Sequence, residues 1–262
     1  MLMAFAVNLF QQALQAANTK VDLKESAKRI LSLIDLTSLN LDDDEKKITA
    51  LCEQAITKHG NVAAVCIFPQ FISLAKTQLK NTSIKIATVV NFPNGVSPVE
   101  DVTHQIEMAI KDGADEIDVV WPYKDFLAGH QSSAKKLVHA SSVACANHVH
   151  LKVILETGLF PDAESIYTAS QLIIDAGADF IKTSTGKVEV NATLEAAAAM
   201  LLAIKDSGQS VGFKAAGGIR TTQQAAAYLS IADHVMGDTW AAPDTFRFGA
   251  SALLGDVLKG LG

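Results

Sequence analysis

Eight short apolar runs of strand length alternate with helical segments along this sequence of 262 residues, and this alternation limits the possible folds more than any other feature. The runs that we predict to be strands are residues 30–37, 62–68, 85–92, 116–121, 150–156, 179–185, 211–216 and 233–237. The segments that we predict to be crossover helices are residues 44–58, 70–80, 98–111, 131–147, 162–175, 192–206, 221–230 and 245–259. The strands are rich in β-branched residues and mostly apolar on both faces, as parallel strands covered by helices must be.

A short internal repeat also indicates a regular βα architecture. Gly113-Ala114-Asp115 before the fourth predicted strand matches Gly177-Ala178-Asp179 before the sixth. Units of about 32 residues, repeated eight times, match the ~250 residues typical of a (β/α)8 barrel. We therefore predict an α/β fold, a (β/α)8 TIM barrel with an extra N-terminal helix, as a single domain over residues 1–262. A doubly wound open sheet is the alternative, but residues 36–40 lack the Gly-rich nucleotide fingerprint that would favour it.

The N-terminal stretch predicts an amphipathic helix that covers one end of the domain. Leu2, Phe5, Leu9 and Leu14 recur at helical spacing, and no Lys or Arg precedes Lys20, which argues against a secretory signal. The later apolar runs are each shorter than a membrane span. We therefore expect a cytoplasmic protein with no membrane association.

Charge and cysteine content exclude other classes of protein. The net charge is -6 and the basic residues are scattered, so we expect no nucleic-acid partner. The cysteines Cys52, Cys66 and Cys145 are odd in number and lack CxxC spacing, which indicates a reducing compartment and packing thiols. His148 and His150 are candidate zinc ligands, but no third residue has convincing ligand spacing, so we predict no metal.

Charged residues inside the predicted strands point to a functional site. Lys182 and Lys214 lie in the sixth and seventh strands, and burial of a lysine favours its neutral, nucleophilic amine. Two lysines in one small cavity repel each other as cations, and one can relieve this by releasing a proton. Asp35, Asp118 and Lys152 also lie on strands, and because isolated buried charges are costly we expect all five to converge on one polar pocket. For each lysine alone, a solvated position at a strand edge remains the alternative.

Glycine-containing stretches after the last strands predict a phosphate site. They are Gly186-Lys187, Gly217-Gly218 and Gly249-Ala250-Ser251. Glycine lets backbone N–H groups approach an anion, and Ser251 is expected near the start of a late helix whose N-terminus favours negative charge. Each stretch alone is more often a turn, whereas the three together with Lys187 favour phosphate.

These motifs resemble the 2-deoxyribose-5-phosphate aldolase family of class I, Schiff-base aldolases. The matching stretches are DFIKTSTGKVEVNAT, VGFKAAGGIRT, GADEIDVVWPY, AAVCIFPQF, IDLTSLN and RFGAS, within a resemblance that runs from about Ile34 to Leu258. The resemblance implies a barrel that reversibly cleaves 2-deoxy-D-ribose 5-phosphate to acetaldehyde and D-glyceraldehyde 3-phosphate, with no cofactor. The expected partners are the sugar phosphate and aldehydes, with a homodimer as a possible assembly.

The same resemblance implies roles for individual residues. Lys182 would form the imine, Lys214 would promote its deprotonation, and Asp118 would work with Lys214 and a water in proton transfer. The residues implied in substrate binding are Asp35, Cys66, Lys152, Gly186, Lys187, Gly217, Gly218, Gly249 and Ser251. Ala252 stands where family members often have a second serine, so one phosphate contact is expected to be absent or supplied by backbone.

The chemistry of the residues agrees with these roles. A protonated imine is an electron sink for the carbanion left when a carbon–carbon bond beside a carbonyl is cleaved, and a carboxylate and a water can move the protons. A zinc-dependent aldolase and a Cys66 nucleophile remain alternatives, as does a non-catalytic barrel that binds sugar phosphates. That last class would keep the glycine loops but has no use for Asp118, Lys182 and Lys214 together.

Overall fold

The protein is described by a computed structural model over residues 5–146 and 148–262. The strands are β1 Ile34–Thr37, β2 Ile56–Thr57, β3 Gly60–Asn61, β4 Ala64–Ile67, β5 Lys85–Val90, β6 Glu116–Val120, β7 His150–Ile154, β8 Phe180–Lys182, β9 Gly212–Ala216 and β10 Phe246–Ala250. The helices are α1 Val7–Ala16, α2 Leu23–Leu31, α3 Glu45–Gln54, α4 Ile72–Gln78, α5 Val99–Asp112, α6 Tyr123–Leu127, α7 Gln131–Cys145, α8 Ala163–Asp175, α9 Leu194–Ser207, α10 Thr222–Met236 and α11 Leu253–Leu261.

Eight parallel strands close into a barrel in the order β1-β10-β9-β8-β7-β6-β5-β4. Strands β2 and β3 form a separate antiparallel hairpin, which the sequence pattern does not predict. This topology confirms the predicted (β/α)8 barrel and excludes the open sheet. None of the helices that the structure describes is both long enough and apolar enough to cross a membrane.

The two copies of the Gly-Ala-Asp repeat have equivalent positions in the barrel. The carboxylate of Asp115, just before β6, accepts a hydrogen bond from the Ile86 amide of β5 at 2.9 Å. The carboxylate of Asp179, just before β8, accepts one from the Leu151 amide of β7 at 2.8 Å. Each aspartate therefore ties the start of its own strand to the preceding strand, as expected of repeated βα units.

The prediction of the last strand is wrong. Residues 233–237 form the end of α10 and the turn after it, and the eighth barrel strand is β10, inside the predicted helix 245–259. The run at 233–237 has the length of a strand, but the buried residues of α10 continue at helical spacing as far as Val235. Strand β10 escapes a search for apolar runs because Arg247 and Gly249 interrupt it.

Boundaries of other elements also differ from the prediction, most clearly at the first strand. The first strand begins at Ile34 rather than at residue 30, because Ile30 and Leu31 end the unpredicted helix α2. Helix α2 begins after Asp22, whose side chain accepts hydrogen bonds from two amides of the first turn. The predicted end of another helix, at residue 147, lies outside the described residues.

The predicted N-terminal helix is present as α1, and of the residues predicted to face the domain Phe5 and Leu14 are partly buried against the core. Phe10 and Ala13 are buried, whereas Leu9 is 48% exposed. The helix packs against α9 and α10 in the outer layer rather than across an end of the barrel. Leu2 lies outside the described residues.

The apolar core lies mainly between the strands and the helices, and the interior of the barrel has a different character. On one side of the interior a small apolar cluster joins Leu39 to side chains of β4 and β5, including Cys66 and Val89. On the opposite side, strands β6 to β10 carry charged residues on their inward faces. Charged groups in a barrel interior, which usually holds Val, Ile and Leu, indicate a functional site.

Candidate active site

Seven charged side chains meet inside the barrel, and each is at most 3% exposed. They are Asp35 of β1, Glu116 and Asp118 of β6, Lys152 of β7, Lys182 of β8, Lys214 of β9 and Arg247 of β10. The strand register places Asp118 beside Lys152, and Lys214 beside both Lys182 and Arg247. The convergence predicted for Asp35, Asp118, Lys152, Lys182 and Lys214 is therefore present.

Asp118 lies at the centre of this group. Its Oδ2 accepts hydrogen bonds from Lys182 Nζ at 2.7 Å and from Lys214 Nζ at 2.8 Å, and its Oδ1 accepts one from Lys152 Nζ at 3.1 Å. Burial opposes ionisation of Asp118, but the three ammonium groups outweigh it and hold its pKa well below the usual range. Asp118 is thus a carboxylate that fixes the positions of three lysines.

A second path of ion pairs leads away from Lys214. Its ammonium lies 2.5 Å from Asp35 Oδ2, and Asp35 Oδ1 accepts a hydrogen bond from Arg247 Nη1 at 2.6 Å. Burial disfavours the charged form of Lys214, but the attraction of Asp118 and Asp35 outweighs it and raises its pKa above the ordinary value. Lys214 therefore remains a cation near neutral pH.

Glu116 closes this path into a ring. Its Oε1 accepts a hydrogen bond from Arg247 Nη2 at 2.7 Å, and its Oε2 accepts one from Lys152 Nζ at 2.5 Å. Since Lys152 also contacts Asp118, six side chains form a closed ring in which positive and negative charges alternate. The ring contains three cations and three carboxylates, so it is electrically balanced without Lys182.

Lys182 is the cation outside this balance. The carboxylate oxygen that it contacts, Asp118 Oδ2, is shared with Lys214. Burial opposes ionisation of Asp35 and Glu116, but neighbouring cations lower both pKa values, so the carboxylates of the ring are ionised near neutral pH. Loss of the Lys182 proton would leave all seven groups neutral in sum, which makes Lys182 the lysine suited to act as a free amine.

A cavity of about 240 Å³ opens above Lys182 at the carboxyl ends of the strands. Its described lining residues are Thr37, Leu39, Asn40, Lys182, Thr185, Gly186, Lys187, Ala216, Gly217, Gly218, Ile219, Arg220, Gly249, Ala250, Ser251 and Ala252. Three of these have basic side chains, Lys182, Lys187 and Arg220, and none is acidic. The cavity is therefore suited to an anion placed close to the Lys182 amine.

All six residues predicted for the phosphate site line this cavity, and they come from the loops after β8 and β9 and from the end of β10 and the residue after it. Gly217 and Gly218 have consecutive positive φ angles of 87° and 84°, which residues other than glycine rarely adopt. Gly249 allows a close approach: a Cβ there would lie 2.9 Å from Ala216 Cβ and 3.1 Å from Lys214 Cε. These glycines are thus required by the shape of the loops and by the packing of a catalytic candidate.

The start of α11 also faces the cavity. Ser251 and Ala252 precede the helix and line the cavity, as predicted for Ser251. Among the residues that the structure describes, no side chain caps the N-terminus of this helix, so its first amides remain available to an anion. Ala252 brings no hydroxyl to the site, which leaves these amides and the Ser251 hydroxyl as the polar groups at this point.

Three predicted pocket residues lie behind the cavity rather than in its lining. Asp35 and Lys152 are engaged in the ring, and Cys66 belongs to the apolar cluster on the other side of the interior. Burial raises the pKa of the Cys66 thiol, which favours the un-ionised form of a packing residue over a nucleophile. These residues shape the floor of the site.

The zinc alternative finds no support in the positions of the histidines. His150 begins β7 and is exposed, as is His148, so both lie at the end of the barrel opposite Lys182. Within residues 5–146 and 148–262, no group of three or more His, Cys, Asp or Glu side chains is arranged to hold a metal ion.

Sequence reasoning missed three charged residues of the site. Glu116 could have been found, because it shares an inward strand face with Asp118. Arg247 lies within a segment predicted to be a helix, so the sequence pattern did not indicate that its side chain points into the barrel. Arg220 lies two residues after Gly218 and lines the cavity, and its position close to that glycine stretch was the available signal.

The chain matches known proteins over nearly its whole length. The description of the matching family is DeoC/LacD family aldolase, over residues 29–257. The deoxyribose-phosphate aldolase of Agrobacterium fabrum is 53% identical over 237 residues, which cover 90% of this chain and 92% of that protein.

Solved structures show the same barrel. A protein of Coccidioides immitis is 25% identical, with a TM-score of 0.79 and coverage of 98% of both chains. A deoxyribose phosphate aldolase from Aeropyrum pernix, described as tetrameric, is 24% identical, with a TM-score of 0.73 and coverage of 97% of both chains. At 24% identity, the similarity to the Aeropyrum pernix enzyme shows a shared fold. The family match and the identity to the Agrobacterium enzyme agree with the resemblance found in the sequence, and the chain belongs to the DeoC/LacD family of aldolases.

Proposed function

We propose that this protein is a class I aldolase that reversibly cleaves 2-deoxy-D-ribose 5-phosphate to acetaldehyde and D-glyceraldehyde 3-phosphate through a Schiff base at Lys182. The observation that carries the proposal is the position of Lys182, which contacts the buried ring through Asp118 and also lines the cationic cavity. An amine next to an anion site suits an aldehyde that bears a phosphate. The catabolism of deoxyribose phosphates is the corresponding metabolic role.

The first step requires a neutral amine. Lys214 remains a cation because Asp118 and Asp35 hold its proton, and its charge repels a proton on Lys182. The free amine adds to the C1 aldehyde of the open-chain sugar, and loss of water gives the protonated imine.

Carbon–carbon cleavage then uses the imine as an electron sink. The C3 hydroxyl gives up its proton, through a water, to the Asp118 carboxylate, which the Lys214 ammonium holds in place, while the C2–C3 bond breaks, its electrons form the C1–C2 double bond and the imine electrons move to the Lys182 nitrogen. The products of this step are glyceraldehyde 3-phosphate and an enamine on Lys182. Protonation at C2 and hydrolysis of the imine release acetaldehyde and restore the amine.

The phosphate of the substrate is assigned to the far side of the cavity. Lys187 and Arg220 supply charge, and the Gly217–Gly218 loop and the start of α11 supply amides. The ammonium of Lys187 donates a hydrogen bond of 2.6 Å to the Leu39 carbonyl, so it is held across the mouth from the loop after β1. The Lys187 ammonium is therefore already at the mouth of the cavity before the substrate binds.

Cleavage of deoxyribose 5-phosphate by the purified protein tests the proposal. Formation of glyceraldehyde 3-phosphate is followed through a coupled dehydrogenase, with Lys182→Met as the inactive variant and Lys135→Met, at an exposed position on α7, as the matched control. We expect turnover by wild type and by the control, and none by Lys182→Met. Binding of the sugar phosphate without turnover by wild type would instead identify a non-catalytic binding barrel.

The same proposal includes a single-domain enzyme that acts in the cytoplasm as a homo-oligomer, with a dimer as the expected assembly. Size-exclusion chromatography with light scattering measures the mass and separates a dimer from a tetramer such as that described for the Aeropyrum pernix relative.

A further inference from the structure

Glu156 has an unusual backbone conformation for a buried residue. It follows β7, is fully buried, and has φ 60° and ψ 52°, in the left-handed region. The backbone of a residue other than glycine is strained there, and such strain persists only where the surrounding structure requires it. A glycine would relieve the strain, so the glutamate side chain must have a use at this position.

The carboxylate of Glu156 binds the loop after β8. Its Oε1 accepts a hydrogen bond from the Thr185 amide at 3.1 Å, and its Oε2 accepts one from the Thr185 hydroxyl at 2.6 Å. The Thr185 hydroxyl oxygen in turn accepts a hydrogen bond from the Lys187 amide at 3.1 Å. Glu156 therefore holds Thr185 by two donors, and Thr185 holds the next turn of the loop.

This loop links the catalytic candidate Lys182 to the cavity residues Gly186 and Lys187. Gly186 has a positive φ of 81°, and an added Cβ would meet no atom within 4 Å. Packing therefore does not restrain the loop on this side of Gly186, and the hydrogen bonds of Thr185 restrain the backbone of the loop directly before it. The left-handed turn at Glu156 aims its carboxylate back at that point.

We propose that Glu156 is a positioning residue for the anion-binding loop, whose carboxylate orients Thr185 so that the Gly186 and Lys187 groups face the substrate phosphate. This inference rests on the proposed function, because it assumes that the phosphate occupies the cavity at the mouth of the barrel. A carboxylate suits the task because both of its oxygens accept, whereas an amide would turn one donor toward a donor of Thr185.

Glu156→Gln tests this role, with Glu164→Gln, at an exposed position in the first turn of α8, as the matched control. The measurements are KM and kcat for deoxyribose 5-phosphate, the same constants for unphosphorylated deoxyribose, and binding of inorganic phosphate by calorimetry. Because a charge-assisted hydrogen bond is lost, we expect phosphate affinity to fall about tenfold and KM for the phosphorylated substrate to rise by a similar factor. The preference for the phosphorylated substrate should fall, and the control should match wild type.

Glu156→Gly separates positioning from a structural role. It relieves the left-handed strain but leaves two donors of Thr185 without their acceptor, so we expect these effects on stability largely to offset each other and the variant to remain folded, together with the same loss of phosphate affinity. Wild-type phosphate affinity in both variants would overturn the inference, as would an equal loss on both substrates accompanied by a lower melting temperature. Absence of aldolase turnover in wild type would refute the proposed function instead, and calorimetry would still decide whether Glu156 orders an anion site.

Discussion

Substitution of Lys214 by Met removes the ammonium nearest to Lys182 and keeps an unbranched side chain. Both ammonium nitrogens contact the same Asp118 oxygen, at 2.7 and 2.8 Å, so they lie at most about 5.5 Å apart. Burial disfavours the charge on Lys214, but Asp118 and Asp35 outweigh it and raise its pKa, so the charge is present at neutral pH. Lys214→Met therefore deletes a fixed positive charge next to the proposed nucleophile.

The size of the effect follows from Coulomb's law. Two unit charges about 5 Å apart interact by ~3 kcal/mol at the effective dielectric constant of ~20 suited to protein sites. One pH unit corresponds to about 1.4 kcal/mol, so the pH midpoint for imine formation should rise by about 2 units. At neutral pH, trapping of the imine should slow by roughly a hundredfold.

The assay is the rate of borohydride trapping with acetaldehyde as a function of pH. Lys214→Arg is the matched variant, because it keeps the positive charge, and its midpoint should stay close to that of wild type. Breaking a buried ion pair costs about 3–5 kcal/mol, so circular dichroism must show that Lys214→Met is folded under the conditions of the assay. An unchanged midpoint in the folded Met variant would refute the assigned role of Lys214.

Three further predictions concern the phosphate site and the ring. Lys187→Ala should lower kcat/KM for deoxyribose 5-phosphate about ten- to a hundredfold, with a much smaller loss for deoxyribose; an equal loss would mean that the phosphate is held elsewhere. Arg247→Met should lower the free energy of unfolding in urea by about 3–5 kcal/mol, because Asp35 and Glu116 both lose a partner, and a change below about 1 kcal/mol would contradict the ring. The carboxylates of the ring have lowered pKa values when folded, so their stabilisation is present above the ordinary pKa of about 4 and is lost as the pH falls below it. Urea unfolding between pH 6 and 3 should show this loss, and Glu116→Gln should reduce its slope; equal slopes would show that Glu116 takes no part.

The sequence was sufficient for the barrel because seven of its eight strands lie in apolar runs that alternate with helical segments. It failed at β10, where Arg247 and Gly249 face inward and break the apolar pattern that marks a buried strand. Arg247 and Gly249, which β10 contributes to the site, are thus the same residues that interrupt its apolar pattern. The structure recovers β10 because its amides pair with β1 and β9.

The site was predictable in part for a related reason. Lys182, Lys214 and Asp118 lie within strands that are otherwise apolar, so their charges were conspicuous. The closed ring was not predictable, because it depends on which strands are neighbours and on how far Arg247 and Glu116 reach across the barrel. The role inferred for Glu156 depends on a left-handed backbone angle, which no residue pattern reveals for a glutamate.

Borohydride reduction followed by peptide mapping tests the central claim most directly, since only an imine is reduced to a stable amine. With acetaldehyde or deoxyribose 5-phosphate present, we predict irreversible loss of activity and a single modified peptide labelled at Lys182, with no effect of a chelator on the reaction. Labelling at another lysine, or full inhibition by the chelator, would contradict the account.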